Sequence, residues 1–197
     1  SKATRLVFRT KALEFLKKSG VPEGKMKSRE GTVVDADDLA DEMQTLALAE
    51  LKKRYDKLSK KELEQRAEAI GMGAIKFYML KYDALQDFTY DPKESISFEG
   101  ETGPYVQYTH ARACSILRKA GKISIRIRYE LLKEHQEQHL VQQLTLFSDV
   151  VREAAHQHKA HVLCRYLLDL SQTFNDFYHT HKVISDEKEL MAVRLVL

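Results

Sequence analysis

The chain has 197 residues and a formal net charge of +3, with 43% hydrophobic and 31% charged residues, 8 glycines and 3 prolines. That length suffices for one or two domains with a proper core, and the small net charge excludes an indiscriminate polyanion binder. No apolar run approaches the roughly 18 residues that cross a bilayer and no charged start precedes an apolar signal core, so a cytoplasmic protein without a membrane partner is expected.

Few glycines and prolines and long periodic segments predict an all-α fold. Ser1 to Gly20 is basic, and Leu13, Phe15 and Leu16 suggest a short helix ending at Gly20. Asp35 is placed to cap a helix that opens Ala36-Asp37-Asp38, with acids in the first turn. Its buried face runs through Leu39, Met43 and Leu46 to Leu51, Tyr55 and Leu58. Ser59 and Glu62 have the spacing of a capping box, so a second helix starts there and continues through Leu63, Ala67, Ile70 and Ala74. Gly71 and Gly73 allow close backbone approach or a kink, and Ile75 to Leu80 is apolar nearly all round, as in a buried helix.

From Asp91 to Gly121 the pattern is a polar loop, a short extended piece around Ile96 and Phe98, and then a helix. Thr102 or Gly103 serves as N-cap, Pro104 suits the first turn, and Gly121 follows Arg118 and Lys119 as a C′ residue. Tyr105, Tyr108, Arg112 and Ser115 share one stripe of that helix, aromatic and cationic. Val106, Ala113 and Leu117 share an apolar one. Arg112, Arg118, Lys119, Lys122, Arg126, Arg128 and Lys133 then concentrate positive charge, with no acid from Ala113 to Tyr129. On charge alone this is equally a solvated helix end or a phosphate-contacting patch with tyrosines nearby for stacking.

Two longer helices follow, one striped by Leu140, Leu144, Phe147 and Val151, the other by Leu163, Tyr166, Leu167, Leu170, Phe174, Phe177 and Tyr178. Ser185 can cap a last helix carrying Leu190, Val193 and Leu197. The two cysteines, Cys114 and Cys164, sit in separate helical patterns, which speaks against a disulfide framework. Among the eight histidines, His135 and His139 share a helix face and His156, His158 and His161 cluster. No carboxylate or thiolate stands at a supporting spacing, so no metal site is expected.

The segment SFEGETGPYVQYTHARACSILRKAG (97–121) resembles the stretch that leads into the helical anticodon-binding domain of arginyl-tRNA synthetases. Lys25-Met26-Lys27-Ser28-Arg29, before Glu-Gly-Thr-Val-Val-Asp-Ala-Asp-Asp-Leu-Ala-Asp-Glu-Met, resembles the class I mobile loop Lys-Met-Ser-Lys-Ser. His161 to Tyr178 resembles the family's late helix. The resemblance implies a class Ia anticodon-binding helical bundle at 95–197, preceded at 1–94 by the end of the catalytic domain with its mobile loop and stem-contact helices. It implies arginine–tRNA ligation, with ATP and Mg2+, arginine and tRNA as partners, no DNA, and a monomer.

Carried over residue by residue, the resemblance implies ATP-phosphate contact by Lys25, which is also the catalytic cation, with Met26 anchoring the loop and Lys27, Ser28 and Arg29 completing it. Lys27 stands where the family usually has Ser, so the second cation is displaced or replaced by Arg29. The same resemblance implies tRNA contact by Tyr105, Gln107, Tyr108, Arg112, Arg118, Lys119, Lys122, Arg126, Arg128 and Tyr178. The family's other catalytic motif, His-x-Gly-His, is not present in the sequence, and the apolar pattern is still running at Leu197, so a fragment is expected. A non-catalytic synthetase-like RNA-binding protein and a helical protein-interaction module are the alternatives.

Overall fold

The computed structural model describes residues 35–55, 57–121 and 126–197. The helix expected before Gly20, the loop residues Lys25, Met26, Lys27, Ser28 and Arg29, and Lys122 lie outside the described residues. Within the described residues every regular element is helical, as the composition predicts: α1 (Ala36–Arg54), α2 (Lys60–Leu80), α3 (Pro92–Ser95), α4 (Gly103–Ala120), a 3-10 turn (Tyr129–Leu131), α5 (His135–Thr145), α6 (Phe147–Gln157), α7 (Ala160–Thr180) and α8 (Lys188–Arg194). The chain divides into two compact units after Tyr105, inside α4.

In the first unit, Asp35 starts α1: its backbone is extended and its carboxylate accepts a hydrogen bond from the Asp37 N–H at 2.9 Å. Leu39, Met43, Ala47 and Leu51 form the buried face, spaced one turn apart. Tyr55 does not continue that face, because α1 stops at Arg54 and Tyr55 is extended and exposed. The Ser59 hydroxyl accepts from the Glu62 N–H at 3.3 Å to start α2. A Cβ on Gly71 would lie 2.9 Å from the Met43 carbonyl carbon, so glycine is what lets the backbones of α1 and α2 touch. At Gly103 a Cβ would come within 2.6 Å of the Gly73 carbonyl oxygen, so the start of α4 rests directly on the α2 backbone. The 75–80 stretch is amphipathic rather than buried all round: Ile75 and Tyr78 point inward, Lys76 and Leu80 outward.

Tyr78, Tyr82, Phe88 and Tyr90 form an aromatic cluster, with Tyr82 stacked on Phe88 at 4.6 Å and Tyr78 edge-on to Tyr90 at 5.1 Å. Burial pushes the Tyr90 phenol up to about 12, so it is neutral and available for the 3.1 Å hydrogen bond with the Ser95 hydroxyl. The extended piece expected around Ile96 is instead α3, one helical turn. Asp91 caps it by accepting from Lys93 N–H at 2.9 Å, Pro92 takes the first helical position, and Ile96 closes it in a helical conformation. An Asp-Pro pair is a helix start, and here it outweighs the strand pattern of Ile96 and Phe98.

The second unit begins along α4. Thr102, just before the helix, accepts from Tyr105 N–H at 3.2 Å, and Gly121, at φ 68°, ends it by donating to the Leu117 carbonyl at 3.2 Å. A capping box of Glu134 and Glu137 starts α5. The expected single helix is broken at Leu146 into α5 and α6, and its stripe is mostly outward: Leu140 is buried, whereas Leu144, Phe147 and Val151 are exposed. α7 packs closely against both α5 and α6. Its buried residues lie on two opposite sides, Cys164, Leu168, Ser171 and Asn175 on one and Tyr166, Thr173 and Phe177 on the other. Leu170 and Phe174 pack against the core of Leu140, Phe177 and Val183 as expected, and with Leu167 they line an apolar cavity of about 610 Å³ together with residues of α4, α5 and the last turn of the chain. Ser185 does not cap α8; Glu187 precedes its first residue.

α8 is held by a buried ion pair. Arg194 Nε donates to Glu137 Oε1 at 2.7 Å, with Glu137 fully buried and Arg194 10% exposed. The other Glu137 oxygen accepts from the Glu134 N–H at 3.0 Å, and Arg194 also donates to the Lys182 carbonyl at 3.2 Å. Removing one partner leaves a buried charge alone, so Arg194→Ala should cost about 3–5 kcal/mol in denaturant unfolding. A loss under about 1 kcal/mol would show that water already satisfies the pair.

In the first unit, burial raises the Glu42 carboxyl above its ordinary range, and one of its oxygens has no hydrogen-bond partner among the described residues. The folded state therefore holds this proton more tightly than the unfolded chain. Both states are protonated well below about pH 4.3, and as pH rises through that value the unfolded chain ionises first and stability falls. Glu42→Gln should raise the melting temperature at pH 7 and leave it unchanged at pH 3. Equal effects at both pH values would assign the change to packing.

Candidate functional site

The second unit brings three of the sequence-selected residues together. Arg112 of α4 lies with its guanidinium carbon 4.8 Å from the centre of the Tyr108 ring and 4.9 Å from that of Tyr178, at the end of α7. One helical turn separates Tyr108 from Arg112, which is why the two meet; Tyr178 arrives from another helix. Arg112 Nη1 donates to Asn175 Oδ1 at 2.6 Å and Nη2 donates to the Tyr108 hydroxyl at 3.3 Å. Asn175 Nδ2 in turn donates to Thr109 Oγ1 at 3.1 Å, and both of these residues are buried. Tyr178 is also stacked on Phe174, at 6.4 Å with the planes 15° apart. The rings of Tyr108 and Tyr178 are 40% and 38% exposed, enough to offer an outside ligand π-surface. A guanidinium held between two exposed tyrosines can hydrogen-bond anions and support base stacking.

The other selected residues are dispersed. Tyr105 is half-buried at the end of the first unit, and Gln107 lines the apolar cavity of the second. Arg118 and Lys119 are exposed at the C-terminal end of α4, and Arg126 is exposed beyond it. Arg128 is compensated: it donates to Glu130 and to Glu189, both at 3.0 Å. These neighbours hold the Arg128 guanidinium above its usual range, with the Glu130 hydrogen bond the largest cause. The run free of acids in sequence is thus not free of them in space.

Sequence reasoning missed Thr109 and Asn175. For Asn175 the signal is that it and Ser171 share one side of α7 with Cys164 and Leu168, which puts small polar groups on a buried side. Burial pushes the Cys164 thiol up, which disfavours its thiolate, while Cys114 Sγ lies 3.5 Å from His110 Nε2. Among the described residues no group of three or more His, Cys, Asp and Glu side chains is arranged to hold a metal ion, and no helix is long and apolar enough to cross a membrane.

The profile of the DALR anticodon binding domain matches residues 106–197, and that of the catalytic domain of class I (R) tRNA synthetases matches residues 8–92. A helical anticodon-binding domain behind the end of a class I synthetase catalytic domain is thus the class that fold and profiles define. The chain is 42% identical over 180 residues to an arginine–tRNA ligase of Bacteroides thetaiotaomicron, covering 88% of itself and 30% of that protein. It is 44% identical over 186 residues to one of Phocaeicola vulgatus, covering 90% of itself and 30% of the relative. The arginyl-tRNA synthetase of Thermus thermophilus superposes with a TM-score of 0.76 at 32% identity, over 89% of this chain and 30% of that one. That of Plasmodium falciparum gives 0.69 at 27% identity, over 83% and 30%. The chain belongs to the arginyl-tRNA synthetase family, and it spans about 30% of the length of these relatives.

Proposed function

We propose that this chain is the tRNA-reading part of a cytoplasmic arginine–tRNA ligase, with one loop of its ATP site. Residues 1–94 would close the catalytic domain and 95–197 would form the anticodon-binding domain. The observation that carries this reading is the match of the two family profiles, in order, over most of the chain. The Tyr108–Arg112–Tyr178 face supports it, being suited to unpaired bases. Tyr105 and Gln107 extend the same helix. Arg118, Lys119, Lys122 and Arg126 would meet the phosphates; Arg128 would contribute less, because two carboxylates already face it.

In the complete enzyme, ATP and arginine would react to the adenylate before transfer of arginine to tRNA. Lys25, with Met26, Lys27, Ser28 and Arg29 around it, would neutralise charge developing on the ATP phosphates. The chain carries no His-x-Gly-His motif, so it should not position ATP and arginine by itself, and positioning accounts for up to about 7–11 kcal/mol of such barriers.

The test is binding of this chain to a tRNA transcript at several salt concentrations. Neutralisation of about four phosphates gives a log–log slope of about −3 to −4. Arg118→Ala with Lys119→Ala should make the slope shallower by about 2, and Arg128→Ala should change it by less than either. A slope near zero, or an unchanged slope in the Arg118/Lys119 variant, would contradict the reading.

A further inference from the structure

The buried Asn175 of α7 is hydrogen-bonded to a half-buried arginine of α4, Arg112. Its two amide groups are used in opposite directions: the carbonyl oxygen accepts from Arg112 Nη1 at 2.6 Å, and the NH2 donates to Thr109 Oγ1 at 3.1 Å. The first bond fixes which way the amide faces, because a flipped amide would present its NH2 to the guanidinium, donor against donor, whereas the Thr109 hydroxyl can meet either end. The Arg112–Asn175 bond is short and charge-assisted, and it starts from a residue only 7% exposed. A long side chain with several rotatable bonds is in this way held at one point by the interior, while its plane lies within 5 Å of both tyrosine rings. Ile116 of α4 and Phe174 and Phe177 of α7 share one apolar cluster, and the Arg112–Asn175 bond adds a polar bridge between the two helices.

We propose that Asn175 is a positioning residue for RNA binding: it holds the Arg112 guanidinium between Tyr108 and Tyr178 and so preorganises the face that stacks an unpaired base. The inference rests on the reading of that face as an RNA contact. Asn175 itself touches no RNA; it acts through Arg112, and Thr109 acts through Asn175. Preorganisation removes the ordering entropy that a free arginine would lose on binding.

The experiment measures affinity of the full 197-residue chain for a tRNA transcript, in a cycle of Asn175→Ala, Arg112→Ala and the double variant. Asn175→Ala should lose on the order of tenfold in affinity, the scale of one misplaced stacking contact. In the Arg112→Ala background the same change should cost nothing more, because there is no guanidinium left to hold. Asn175→Asp keeps the acceptor and lets the Thr109 hydroxyl donate, so it should restore affinity. In the free protein, the Arg112 Nε–H resonance, displaced by the two rings, should move toward the value of an exposed arginine in Asn175→Ala and stay in place in Asn175→Asp. Should Asn175→Ala not fold, Asn175→Ser, too short to reach the guanidinium, replaces it. Parent-like affinity of Asn175→Ala beside a weakened Arg112→Ala, or losses that add in the double variant, would overturn the positioning role. Unchanged affinity in Arg112→Ala, with the Arg112 Nε–H of the parent displaced and moving in Asn175→Ala, would instead overturn the RNA-contact reading beneath it.

Discussion

Burying α7 on two sides is the constraint on which the second unit depends. Tyr166, Thr173 and Phe177 lie along one side, Cys164, Leu168, Ser171 and Asn175 along the other, and the helix packs against α5 and α6. Phe177 is 1% exposed and its neighbour Tyr178 is 38% exposed, so adjacent aromatics at 100° around one helix divide between core and surface. Once Phe177 is locked inside, the direction of Tyr178 follows. The exposed Tyr178 ring is thereby directed by hydrophobic packing, with Asn175 on the same helix supplying a polar bond to α4.

The first unit solves a different problem, that of bringing backbones rather than side chains together. Gly71 and Gly103 sit where a methyl group would collide with main-chain atoms, and both contacts place α2 at the centre. The aromatic cluster then covers the loop between α2 and α3, with Lys81 lying 4.2 Å from the Tyr78 ring while donating to the Glu101 carbonyl at 3.0 Å.

Local signals in the sequence were the most legible. Asp35, Ser59, Thr102 and Gly121 act at the helix ends where their chemistry placed them, and the all-helical class followed from composition and period. Longer-range features were not legible. Arg128 reads as part of an acid-free run, yet its partner Glu189 lies 61 positions on. The break at Leu146 carries no proline or glycine to announce it, and Leu167 has the spacing of a core residue although it faces a cavity. Periodicity reports which residues share a face; it does not report what stands opposite. The Asn175–Arg112 bond spans 63 positions and could only be found in three dimensions.

The central claim is that the face formed by α4 and the end of α7 meets unpaired bases of the anticodon loop. Photocrosslinking of this chain to a tRNA transcript with 4-thiouridine in that loop tests it most directly. The account predicts adducts on the peptides carrying Tyr108 to Arg112 and Phe174 to Tyr178, lost on competition with unlabelled transcript. Adducts confined to α1 and α2, or on no defined peptide, would contradict it.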